Sequence, residues 1–72
     1  MNPIQHILIT VNGEPQSVPL GTSLAAVIAN AQLAAEAVAT AVNGEFVARN
    51  DRASRELLAG DAVFTFQAIT GG

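Results

Sequence analysis

Two Asn-Gly pairs, each lying between runs of strand-forming residues, constrain the fold of this chain most strongly. Asn12–Gly13 follows the β-branched run at 4–11 and precedes residues 14–20. Asn43–Gly44 follows residues 38–42 and precedes the sequence Glu-Phe-Val-Ala. Both residues of an Asn-Gly pair tolerate the positive φ angles of a type I′ turn, so each pair predicts a two-residue β-hairpin.

The second strand is predicted to lie at an edge of the sheet. Its residues Pro15 and Pro19 have no backbone N–H and cannot donate hydrogen bonds to a neighbouring strand. A strand with neighbours on both sides would need those donors, so an edge position is favoured. A helix is then expected over about residues 23–33, because Thr22 or Ser23 is a good N-cap. Apolar residues follow at helical spacing, at Leu24, Val27, Ile28 and Ala31. The alanines beyond it would allow extension towards residue 40 on propensity alone.

The last strand is predicted over Ala62–Ile69, after a turn at Gly60–Asp61. A short helical turn is expected within residues 53–58. The resulting order is strand, strand, helix, strand, short strand, helical turn and strand. This order predicts an α+β fold with a mixed sheet of four to five strands and one main helix on one face. The last strand would lie beside the first, and Gly71–Gly72 would project from the sheet.

The composition excludes several classes of function. The chain has no cysteine, so neither a disulfide nor a thiolate site is possible, and His6 alone cannot form a metal site. It also has no lysine, so very few side chains could form a pair of nucleophile and base. We therefore expect no enzymatic activity. The net charge of −3 argues against nucleic acid as a partner. No apolar run approaches the ~20 residues needed to cross a bilayer, and the N-terminus lacks the pattern of a signal peptide, so we expect a soluble, cytoplasmic protein without a membrane partner.

Three arginines at a spacing of three residues supply all the side-chain cations other than histidine: Arg49, Arg52 and Arg55. We interpret them as a solvated face that pairs with Asp51 and Glu56, with contact to an acidic partner as the alternative. The two Asn-Gly pairs are interpreted as turn chemistry alone.

Four segments resemble the ThiS family of sulfur carriers, which has the β-grasp or ubiquitin-like fold. They are Ile-Thr-Val-Asn-Gly-Glu at 9–14, Ala-Val-Asn-Gly-Glu-Phe-Val-Ala-Arg at 41–49, Gly60–Asp61, and Phe-Gln-Ala-Ile-Thr-Gly-Gly at 66–72. The resemblance spans nearly the whole chain. It implies a β-grasp domain over residues 1–69 and a flexible C-terminal tail over residues 70–72.

The resemblance also implies a function for the glycine tail, Gly71 and Gly72. In this family an ATP-dependent enzyme, ThiF, adenylates the terminal carboxylate, which here belongs to Gly72. Sulfur from a cysteine persulfide donor then forms a thiocarboxylate, which supplies sulfur to the thiazole synthase ThiG. The chain would be a cosubstrate that binds no cofactor or metal, and ATP would be used by its partner.

A recognition surface for the activating enzyme is expected on one face of the sheet. By similarity to the superfamily, the apolar face beside the tail binds that enzyme, and strand alternation places Leu8, Phe64 and Phe66 there. The alternative interpretation is that the two phenylalanines belong to the core.

Other carriers and other classes remain open from the residues alone. MoaD, the small subunit of molybdopterin synthase, also ends in Gly-Gly, as do carriers for cysteine synthesis and tRNA thiolation. A ubiquitin-like protein modifier would use the same adenylate to acylate a lysine of a target protein. A β-grasp interaction domain without carrier chemistry is the third alternative.

Overall fold

The sheet has five strands, and the helix lies on one side of it. The computed structural model describes residues 3–67. The strands are β1 (His6–Val11), β2 (Glu14–Pro19), β3 (Val38–Val42), β4 (Glu45–Val47) and β5 (Ala62–Gln67). Helix α1 (Leu24–Asn30) and two short 3-10 helices, Ala35–Ala37 and Arg49–Asp51, connect them.

The strand order is β2-β1-β5-β3-β4, which places the last strand between the first and the third. β1 and β5 run parallel, and the other neighbours are antiparallel. This is the mixed sheet of the β-grasp fold, so the predicted fold class is confirmed. The predicted edge position of the proline-containing strand β2 is confirmed as well.

Both Asn-Gly pairs form the predicted two-residue hairpin turns. Asn12 and Gly13 have φ angles of 52° and 87°, and Asn43 and Gly44 have φ angles of 54° and 84°. The strands pair directly on either side of the turns, in the registers Val11 with Glu14 and Val42 with Glu45. Positive φ at both central residues defines the type I′ turn, whose twist matches that of the flanking strands.

Helix α1 is shorter than the predicted range of 23–33. It begins after Ser23, whose hydroxyl oxygen accepts a hydrogen bond from the N–H of Ala26 at 3.1 Å. It ends at Asn30, and Gln32 has a φ of 59°, which breaks the right-handed helical path. Ala31 therefore lies outside the helix and is exposed, while the other residues of the predicted apolar stripe are buried.

The core lies between α1 and the inner face of the sheet. Its members are small and medium aliphatic residues: Ile9, Val18, Leu24, Val27, Ile28, Val38, Val42, Val47, Leu57 and Val63. None of the three phenylalanines belongs to it. Because one helix can cover only one face of the sheet, the other face of the described strands remains open.

Strand β5 is fixed by the side chains of both hairpin asparagines, so the interpretation of the Asn-Gly pairs as turn chemistry alone is wrong. The Asn12 amide nitrogen donates to the Thr65 hydroxyl at 2.9 Å, and its oxygen accepts from the Thr65 N–H at 2.9 Å. The Asn43 amide donates to Asp61 Oδ1 and accepts from the Ala62 N–H, both at 2.9 Å. Each asparagine thus forms its hairpin turn and also a side-chain connection to β5 or to the residue before it.

The interpretation of the arginines as one solvated face is wrong for Arg52, which is only 4% exposed. Its guanidinium donates to Thr40 Oγ1 at 3.0 Å, Ala35 O at 2.9 Å and Val38 O at 2.6 Å. Arg52 thus connects the segment that follows β4 to β3 and to the 3-10 helix before it by hydrogen bonds.

The helical turn expected within residues 53–58 is also wrong. The 3-10 helix lies earlier, at Arg49–Asp51, and Glu56 forms an isolated bridge with Ser23. Backbone hydrogen bonds from Leu24 to Arg55 and from Leu57 to Thr22 extend this segment along the start of α1. Those tertiary hydrogen bonds replace the local ones of a helical turn.

We expect the two asparagines to respond differently to replacement by aspartate. In Asn43→Asp, a second carboxylate would face Asp61, a buried residue whose Oδ1 now accepts from the Asn43 amide. Position 43 is exposed, so solvent partly screens the repulsion between the two carboxylates; together with the loss of a donor it should cost about 2 kcal/mol at neutral pH. In Asn12→Asp, the Thr65 hydroxyl can rotate to donate its proton, so we expect a loss of about 1 kcal/mol.

Urea unfolding of the two variants at pH 7 measures this difference. The variants have the same chemistry in the same type of turn, so each serves as the control for the other. Equal losses of unfolding free energy would contradict the assignment of the Asn43–Asp61 hydrogen bond.

Candidate functional site

An aromatic patch on the open face of the sheet consists of Phe46, Phe64 and Phe66. Phe46 of β4 is paired with Ala41 of β3, and Ala41 is paired with Phe64 of β5. The next residue of this face on β5, Phe66, is paired with Ala39. The strand registers therefore place three phenylalanines around two alanines of β3. This group lies at the half of β5 that precedes residues 68–72.

The aromatic side chains are exposed to solvent. Phe46 is 72% exposed, Phe64 is 40% exposed and Phe66 is 57% exposed. The interpretation of Phe64 and Phe66 as core residues is thus wrong. Large apolar side chains grouped on an open surface are typical of a binding site, because their burial by a partner is favourable.

Leu8 lies on the same face but at the far end of the sheet. Thr10 is level with Ala62 in the parallel pairing of β1 and β5, so Leu8 is level with Gly60. At ~3.3 Å per residue, Phe66 lies about 20 Å further along the strand direction. The structure therefore groups Phe64 and Phe66 but separates Leu8, which is 60% exposed, from them.

Phe46 is the member of the patch that the sequence analysis did not identify. It lies in the short strand β4, where the alternation of Glu45, Phe46 and Val47 turns Val47 into the core and Phe46 outwards. This alternation is visible in the sequence. It becomes informative only when the register against β3 is known, because only the register shows that Phe46 is level with Phe64 of β5 across Ala41 of β3.

The open face offers apolar surface to a partner but has few side chains that could take part in a reaction. Strand alternation places mostly apolar, alanine, proline and hydroxyl side chains on it, with His6 as the one titratable group among the described strands. No group of three potential metal-ligating side chains occurs within residues 3–67. In the same range, none of the helices has the length and apolarity needed to cross a membrane.

The two predicted tail residues, Gly71 and Gly72, lie outside the described residues. Ala68, Ile69 and Thr70, which complete the segment after β5, lie outside them as well. The last described residue beside the aromatic patch is Gln67, at the end of β5.

Comparison with known proteins identifies the family. The model of the ThiS family matches residues 9–72. A crystal structure of the thiamine biosynthesis protein ThiS from Geobacter metallireducens is similar to this chain, with a TM-score of 0.80 and 29% sequence identity. The similarity covers 92% of this chain and 100% of that one. No curated protein sequence matches. Because the family match covers most of the chain and the fold agrees, this protein belongs to the ThiS family.

Proposed function

We propose that this chain is a sulfur carrier in thiamine biosynthesis, and that it carries the sulfur on the carboxylate of Gly72. Membership of the ThiS family and the likeness to a thiamine biosynthesis protein support this role. The observation that carries the proposal is the placement of the aromatic patch on β5 and its neighbours. An exposed binding surface at this place adjoins the segment that ends in Gly71–Gly72.

The proposed reaction begins with activation of the carboxylate, which is a poor electrophile because its negative charge is delocalised. A ThiF-type enzyme uses ATP to convert the Gly72 carboxylate into an acyl adenylate, with release of pyrophosphate. Sulfur from a cysteine persulfide then displaces AMP, and a thiol cleaves the remaining S–S bond to leave a thiocarboxylate. The thiazole synthase ThiG accepts this sulfur.

Two glycines suit the end of a carrier that enters a partner's active site. Without Cβ atoms, Gly71 and Gly72 can pass through a narrow channel and bring the carboxylate close to ATP. Fixing each backbone unit costs about 1–2 kcal/mol of conformational entropy. Binding of the folded body has to offset this cost, so the proposal requires a docking surface.

The aromatic patch is the proposed docking surface for the activating enzyme. Phe64 and Phe66 lie closest to the tail along β5, and Phe46 extends the surface across β3. Leu8 lies on the same face at the opposite end of β5 from Gln67, the last described residue. We infer that the energetic centre of the interface is aromatic and that Leu8 contributes at its periphery.

On this proposal the chain is a cosubstrate of its partners and not an enzyme. A β-grasp domain over residues 1–69 would be recognised, and a tail over residues 70–72 would react. The chain would bind no cofactor or metal itself, and it would act in the cytoplasm, where its partners use ATP and a persulfide donor.

A mass measurement tests the carrier chemistry. We expect the chain, incubated with ATP, a ThiF-type enzyme and a persulfide source, to gain the mass difference between one sulfur and one oxygen atom. A variant with one alanine added after Gly72 should show no gain, because a Cβ would then enter the position of the terminal glycine. The folded body is the same in both proteins, so a gain in the extended variant would contradict the proposal. Conjugates with other proteins would indicate a modifier instead.

A pair of substitutions tests the docking surface. Phe66→Asp should raise the KM of the activating enzyme for this chain at least about tenfold, because a charge replaces an aromatic anchor. Leu8→Asp is the matched control, since Phe66 and Leu8 are 57% and 60% exposed on the same face. We expect its KM to change less than about threefold. Steady-state kinetics of pyrophosphate release measures both values.

Circular dichroism and urea unfolding check that both variants remain folded. Equal effects of the two substitutions on KM, in folded proteins, would contradict an interface centred beside the tail.

A further inference from the structure

A pocket with a volume of about 280 Å³ lies on the helix side of the sheet, where the end of α1 meets the segments around residues 33–35 and 49–53. Six of its lining residues are apolar, and four of these are alanines. The six are Ala25, Ile28, Ala29, Leu33, Ala35 and Ala53. Short side chains leave this space unfilled. The pocket is separate from the aromatic patch, which lies on the opposite face of the sheet.

The remaining lining residues of the pocket are two of the chain's three arginines, Arg49 and Arg52. No acidic residue lines the pocket, although the chain carries a net charge of −3. Arg49 is exposed, and none of the side-chain hydrogen bonds within residues 3–67 involves its guanidinium. Positive charge is thus concentrated at an otherwise apolar pocket.

Arg52 is a buried cation whose described acceptors are all neutral. Its three hydrogen bonds go to the Thr40 hydroxyl and to the carbonyls of Ala35 and Val38. Each of its three nitrogens donates to one of these acceptors, and no buried side-chain nitrogen within residues 3–67 lacks a partner. A guanidinium has five N–H groups, so it can still donate to an anion while keeping these three hydrogen bonds. Burial of a charge without a counter-ion is unfavourable, and an anion in the adjoining pocket would remove this penalty.

We propose that this pocket binds a small monocarboxylate with a short hydrocarbon body. The carboxylate would accept hydrogen bonds from Arg49 and Arg52, and the hydrocarbon body would pack against the alanines and Ile28. The volume is just below the ~300 Å³ at which pockets for drug-sized ligands begin, so the ligand is small. This binding activity is independent of the proposed sulfur-carrier function.

A titration of the full chain with hexanoate, followed by ¹H–¹⁵N NMR, tests the site. We expect saturable shifts of amide signals from residues that line the pocket. 1-Hexanol presents the same hydrocarbon body without the charge, and it should bind at least about tenfold more weakly because it lacks charge-assisted hydrogen bonds. Equal affinity for the two probes, shifts outside the pocket, or no shifts with hexanoate would overturn the proposal.

Three variants locate the ligand without disturbing the buried Arg52. Arg49→Gln removes an exposed charge and should weaken hexanoate binding about tenfold. Ala29→Leu fills the pocket from an exposed position on α1 and should abolish binding. Arg55→Gln removes an arginine that does not line the pocket, and it should leave the affinity unchanged. Undiminished binding in folded Ala29→Leu, or equal loss in Arg49→Gln and Arg55→Gln, would contradict the site.

Discussion

The structure depends on the way strand β5 is held at the centre of the sheet. Its parallel pairing with β1 comprises only two residue pairs, Thr10 with Ala62 and Val11 with Val63. The Asn12 side chain extends this connection to Thr65, and the Asn43 side chain holds Ala62 from the side of β3. Five antiparallel residue pairs with β3 hold the other side of β5. The two hairpin asparagines add side-chain hydrogen bonds to a strand that is distant from both turns in sequence. This strand carries two members of the aromatic patch and leads to the C-terminal segment.

The division of the sheet into two faces follows from the same arrangement. α1 covers the inner face, where β5 contributes Val63 to the core. The alternation of β5 then requires Phe64 and Phe66 to lie on the open face. Small residues on β3, Ala39 and Ala41, are paired with these phenylalanines. The core and the aromatic patch are therefore on opposite faces of the same sheet.

Features that depend on local chemistry could be predicted from the sequence. The positive φ angles at Asn12 and Asn43, the edge strand with its prolines and the strand at 38–42 all follow from neighbouring residues. The end of α1 could not be predicted in the same way, because alanines favour a helix beyond Asn30 and the left-handed Gln32 opposes it. The prediction of an apolar face was correct for the orientation of Phe64, Phe66 and Leu8. It did not give their distances along the sheet, which depend on the register.

Interactions between distant residues account for the other failures. The polar segment around Arg52 predicts a surface position for this residue. Its hydrogen-bond acceptors, however, lie 12 to 17 residues away in sequence. The contacts of Asn12 with Thr65 span 53 residues. The spacing of residues in a sequence does not determine such partners. For the same reason, the sequence did not predict that Phe46 belongs to the recognition surface. Nor did it predict the pocket that contains the two arginines.

The decisive experiment on the proposed sulfur-carrier role follows the sulfur from this chain into the product. The chain is loaded with isotopically labelled sulfur, purified from the activating enzyme and the sulfur donor, and mixed with a ThiG-type thiazole synthase and its other substrates. We expect the label to enter the thiazole ring and the intact mass of the chain to return to its original value. Thiazole formed without the label, or label that stays on the chain, would contradict it.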